Sequence, residues 1–128
     1  MRITLVAGLP GSGKTTLLAE LAARGAETID DIPDWSWLPL NPIPWLVISD
    51  VTFCLERVRE AAEMGLRNRY PGCEIEWTFF ENDPDACLAN AEARNDGRNV
   101  APDIRALAPS YDPPGTAIPV FRPGVPAP

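Results

Sequence analysis

The sequence contains no histidine, a single lysine and three cysteines. Without histidine there is no imidazole base, no Ser-His-Asp or Cys-His nucleophile and no HExxH zinc site. A proton-abstracting side chain is therefore read as a carboxylate. Cys54, Cys73 and Cys87 are widely spaced and form no CxxC pair. They read as buried, reduced thiols of a cytoplasmic protein. No apolar run approaches the roughly 20 residues that span a bilayer. Met1 to Gly8 runs straight into a glycine loop without a cleavage site, so it is not read as a signal peptide. Positive charge is also scarce. Eleven Lys plus Arg face 18 Asp plus Glu, for a net charge of −7. That balance argues against an extended nucleic-acid-binding surface, which needs a basic footprint. It leaves room for a nucleic-acid end or a single base held in a local pocket.

At 128 residues the chain reads as one domain. Strand and helix signals alternate along it. Residues 2–7 read as a strand, Lys14 to Arg24 as a helix capped by Gly25, and Ala26 to Asp30 as a second strand. Residues 31–44 hold four prolines and two tryptophans and read as a loop. Trp45 to Ser49 reads as a buried strand. Cys54 to Arg69 reads as a helix, with Leu55, Val58, Ala62 and Leu66 on one face, and Glu74 to Phe80 as a strand. Asp83-Pro84 has the residue pair of a helix start, N-cap then first turn. That helix runs to Arg94, where Asn95-Asp96-Gly97 breaks it. A short helix from Pro102 to Ala108 and a last strand from Thr116 to Phe121 follow. The pattern predicts a three-layer α/β fold on a small, mainly parallel sheet of four to five strands. Eight of the 15 prolines fall in the last 27 residues. Residues 1–112 thus read as the domain proper, and 113–128 as a Pro-rich segment packed on it.

Gly8-Leu9-Pro10-Gly11-Ser12-Gly13-Lys14-Thr15 fits GxxxxGK[ST], and it follows a strand and opens a helix. In that context the loop of Gly8 and Pro10–Gly13, with the helix start through Thr16, forms a nest whose N–H groups, Pro10 having none, face phosphate oxygens. Lys14 reaches the β- and γ-phosphates, and the Thr15 hydroxyl ligates Mg²⁺. The expected cofactors are ATP and Mg²⁺. The one lysine of the chain occupies this motif.

Three further elements are candidates for the chemistry. The strand Leu46-Val47-Ile48-Ser49 ends at Asp50, where P-loop proteins carry an acid for metal or acceptor; many strands also end at Asp because it starts turns. Asp30-Asp31 ends the second strand, at the sheet edge where ligands gather. One of the pair can accept the proton of an incoming hydroxyl; both can equally be solvated turn formers. Arg94 and Arg98 flank the break after the Asp83–Arg94 helix. They can cover the phosphates as a lid or simply suit the helix C-terminus. Asn90 shares a face with Arg94. Trp45 and Trp77 read as core. Trp35 and Trp37, beside the acid pair, either anchor their loop or stack on a base.

With these pieces in order the chain resembles the polynucleotide 5′-hydroxyl kinase and zeta-toxin-like group of small P-loop kinases. The matches are GLPGSGKTT at 8–16, Asp30-Asp31, VISDVTF at 47–53, and the arginine-bearing helix followed by GRNVAPDIRAL at 97–107. The resemblance implies Asp30 as general base, Asp50 as the strand-end acid and Arg94 as the lid arginine. It departs from the family at Pro33 and Asn90, where members carry arginines. It implies a phosphotransferase moving the γ-phosphate of ATP to a hydroxyl of a nucleoside, a nucleic-acid 5′ end or a hydroxymethylated base in DNA. A nucleotide-binding module or simple NTPase without a dedicated acceptor is the alternative.

Overall fold

The computed structural model describes residues 1–94 and 97–121. Four strands form one parallel sheet: β1 (Arg2–Ala7), β2 (Glu27–Asp30), β3 (Trp45–Ser49) and β4 (Glu74–Phe79), in the order β2-β3-β1-β4. Helices α1 (Lys14–Ala23), α2 (Glu56–Arg69), α3 (Pro84–Arg94) and α4 (Ala101–Leu107) connect and follow the strands. The α/β expectation with a small parallel sheet holds, at four strands. The five residues Ile3 to Ala7 of central β1 are buried without alternation, as a parallel strand covered on both faces must be. Ile3, Leu5, Leu46 and Ile48 form the middle of the core, with Leu66 of α2 and Ile104 of α4 also in it.

Local chemistry explains the element ends. Gly25 has φ +105° and closes α1: its N–H reaches Ala22 O at 3.0 Å, and Ala26 N reaches Leu21 O at 3.1 Å. Asp83 caps α3, accepting from Ala86 N at 3.1 Å. The helix expected to begin at Cys54 begins at Glu56 instead. Asp50 captures the preceding residues in a 3-10 turn, Val51–Cys54, by accepting from Thr52 N at 2.9 Å and Thr52 Oγ1 at 2.6 Å. Leu55 is then extended, so the two helical pieces do not merge.

The last strand expected at Thr116 to Phe121 does not form. A single parallel bridge joins Ile118 to Phe80. Pro119 has no N–H to continue a ladder, so pairing stops after Ile118 N to Phe79 O and Glu81 N to Ile118 O, both 2.8 Å. This bridge still places Ile118 beyond β4, at the edge opposite β2. Trp45 and Trp77 are half-buried against the core, each with its indole N–H bonded, to Thr4 Oγ1 at 3.0 Å and Glu63 Oε1 at 2.6 Å. Of the expected helix break, Asn95 and Asp96 lie outside the described residues, as do 122–128 of the Pro-rich segment. No helix among the described residues is long and apolar enough to cross a membrane.

Candidate active site

In an open parallel sheet, ligands gather where strand C-termini meet a reversal of winding. Here β1, β2 and β3 end together. The register pairs Val6 with Ser49 and Ser49 with Asp30, so the phosphate-loop entry and both acid-bearing strand ends lie at one level.

The loop from Gly8 to Gly13 leaves β1 and turns into α1. Gly11 has φ +83° and lies so close to α3 that a Cβ there would meet Cys87 O at 2.5 Å. Gly13 has φ +110°, a conformation that side chains strain to adopt. Lys14, first in α1, is 6% exposed and folds inward. Its Nζ donates to Gly8 O and Leu9 O, each at 2.9 Å. Burial lowers its pKa from the ordinary lysine value, opposed by the negative charge of Asp31 and, more weakly, of Asp30. Ser12 is buried within the same loop, and its Oγ has no hydrogen-bond partner. An orphaned hydroxyl beside an inward-facing ammonium fits a site built for an anionic ligand.

Asp30 lies at the centre of the polar contacts. Thr15 Oγ1 donates to its Oδ2 at 2.8 Å, and Ser49 Oγ donates to its Oδ1 at 2.7 Å. The phosphate loop and the second and third strand ends are thus joined through one carboxylate. Ser49 escaped the sequence reading, which stopped at Asp50; strand register alone brings it opposite Asp30. Asp31 follows in a left-handed conformation, φ +53°, which Asp tolerates better than most residues. Loss of surrounding water and then the Asp30 charge hold its carboxyl above the usual carboxylate range, although the residue as a whole is exposed. Lys14 and Arg98 pull the other way. Asp50 adds its charge to this cluster while capping the 3-10 turn.

On the far side of the loop, Asn90 Nδ2 donates to Gly11 O at 3.0 Å and also to Phe121 O. Arg94 is exposed at the last position of α3, one turn beyond Asn90. Arg98, four positions further on, is exposed, with its charge felt at Asp31. Beneath the loop, Tyr111 Oη donates to Phe80 O and, at 3.3 Å, to Ala7 O. Neither Tyr111 nor Phe80 carries a motif; only the packing reveals them as the support of the loop. Cys54 and Cys87 are buried near Lys14, and desolvation raises each thiol to about 11, so both stay protonated at neutral pH. Trp35 and Trp37 are 43% and 63% exposed.

No family model matches the chain. It is 30% identical over 110 residues to an uncharacterized protein, R277, of Acanthamoeba polyphaga mimivirus, spanning 76% of this chain and 75% of that one. The chain belongs to the family of that mimivirus protein. The fold is similar to the crystal structure of a gluconokinase from Sinorhizobium meliloti 1021, with a TM-score of 0.62 over 95% of this chain and 83% of that one. At 16% identity this likeness is one of fold. The chain thus has a fold also found in a kinase.

Proposed function

We propose that the protein is an ATP-dependent phosphotransferase of the polynucleotide-kinase and zeta-toxin-like type. Its acceptor is a hydroxyl of a nucleoside, a nucleic-acid 5′ end or a hydroxymethylated base in DNA. The observation that carries the reading is the contact between Thr15 of the phosphate loop and Asp30 at the end of β2. It sets a proton acceptor directly beside the phosphate loop. ATP would supply the γ-phosphoryl group, and Mg²⁺ would shield its oxygens.

The residues present suit that pair of groups. Gly8, Pro10, Gly11, Ser12, Gly13 and Thr16 shape the loop, and the orphaned Ser12 hydroxyl answers a phosphate oxygen. Lys14 Nζ donates to the carbonyls of Gly8 and Leu9 and would turn to phosphate oxygens, exchanging neutral acceptors for charged ones. Thr15 and Asp50 would hold Mg²⁺, a metal usually bound by one or two side chains plus phosphates. Asp30 takes the acceptor proton, and the Ser49 hydroxyl fixes its orientation. Arg94 and Arg98 supply positive charge over the transferring group. Three free thiols suit the reducing cytoplasm.

The test is an acceptor screen with γ-labelled ATP and the full chain. Nucleosides, a 5′-hydroxyl oligonucleotide, DNA containing hydroxymethylated bases, and gluconate are offered in parallel. Label is expected on a nucleic-acid-type acceptor and lost in Lys14→Ala. Full transfer by Lys14→Ala would show the mechanism to be wrong, and labelling of gluconate alone would replace the acceptor class.

A further inference from the structure

In-line phosphoryl transfer places the acceptor and the rest of the donor on opposite sides of the moving phosphorus. On the reading above, the acceptor sits with Asp30 and Asp31, at the β2 edge of the sheet. The nucleoside half of the donor must then leave the phosphate loop toward the opposite edge, beyond β4. At that edge Ile118 is bridged to Phe80, and the chain runs on from it to Phe121. Its outermost described residue is Phe121, 54% exposed.

Phe121 is a large apolar side chain in water, yet its backbone is firmly held. Ile118 donates to Phe79 O at the end of β4 and accepts from Glu81 N two residues further on, and Val120 is buried in the core. The carbonyl of Phe121 accepts from Asn90 Nδ2, the same amide that holds Gly11 O at the loop apex. One side-chain nitrogen therefore ties the exposed aromatic residue to the mouth of the phosphate loop. An exposed ring on a held backbone beside a phosphate nest matches what a nucleobase needs, since every base has a face to stack.

We infer that Phe121 is the platform on which the base of the bound nucleotide stacks, with Asn90 as the positioning residue that sets it at the loop. This rests on the proposed nucleotide site. The experiment titrates the full chain calorimetrically with ADP and with inorganic tripolyphosphate, each with Mg²⁺. Phe121→Ala should weaken ADP about tenfold, within the span expected for one stacked base, and leave tripolyphosphate within about twofold. Phe121→Trp should restore ADP. Asn90→Ala should weaken both ligands, because it releases Gly11 as well as Phe121. Equal weakening of both ligands by Phe121→Ala, or no change in either, would overturn the inference while leaving the phosphate site standing. Failure of the unmodified chain to bind either ligand would overturn the nucleotide site itself.

Discussion

Substituting Gly11 by alanine separates two costs that the phosphate loop imposes. The first is conformational, since φ at Gly11 is +83°. A left-handed residue with a Cβ costs about 1–2 kcal/mol. The second is contact. The new Cβ would lie 2.5 Å from Cys87 O, 3.2 Å from Cys87 C and 3.3 Å from Cys87 Cα. These are backbone atoms of α3, so no side chain can swing aside. Forcing such a contact costs a further ~1–3 kcal/mol. Gly25→Ala is the control: φ is +105°, but a Cβ there meets nothing within 4 Å. Urea unfolding should therefore show a loss of about 1–2 kcal/mol for Gly25→Ala and about 2–5 kcal/mol for Gly11→Ala, against a total stability of roughly 5–15 kcal/mol. Pushing α3 away also stretches the Asn90 bond to Gly11 O, so ADP affinity should fall at least about tenfold in Gly11→Ala only. Equal destabilisation by the two substitutions, with unchanged ADP affinity, would refute the packing of α3 on the loop.

Three further outcomes follow from the same contacts. Tyr111→Phe removes the hydroxyl donor from the buried carbonyls of Phe80 and Ala7 and should cost about 1–3 kcal/mol in urea unfolding. Asp31→Asn should raise the melting temperature at pH 7 by about 1–3 °C, because the fold holds the Asp31 pKa up. The native state then binds that proton more tightly than the unfolded chain, so wild-type stability falls as pH rises from 3.8 through the raised value, and the gain in the variant should vanish below about pH 3. Iodoacetamide at pH 8 should leave Cys54 and Cys87 unmodified in the native protein, read by mass spectrometry, and label both in urea, since burial raises each thiol to about 11.

Legibility from sequence followed the range of the signal. The α1 cap at Gly25 and the α3 cap at Asp83 rest on bonds between near neighbours, and residue type alone announces them. The supposed last strand had the right residues but the wrong partner chemistry: Pro119 stops a ladder that hydropathy alone would extend. The start of α2 was misplaced because Asp50 serves as a cap as well as a site acid. In the site, Lys14, Thr15 and Asp30 were visible as a motif and a strand end. Ser49, Tyr111 and Phe80 were not, because their roles depend on register and on contacts across up to 104 positions of the chain.

What the sequence determined by itself was the chemistry on offer. A chain with no histidine and one lysine, that lysine inside a glycine loop after a strand, has few ways to handle a phosphate and a proton other than an ammonium and a carboxylate. The loop and the start of the helix lie within eight consecutive residues, so no distant contact is needed to read them. Tertiary structure alone decided the arrangement. Parallel register brings Asp30 to Ser49 and Thr15, and helix packing brings Asn90 to Gly11 and Phe121. Such partners are far apart along the chain, and only the closing of the sheet and the docking of α3 make them neighbours.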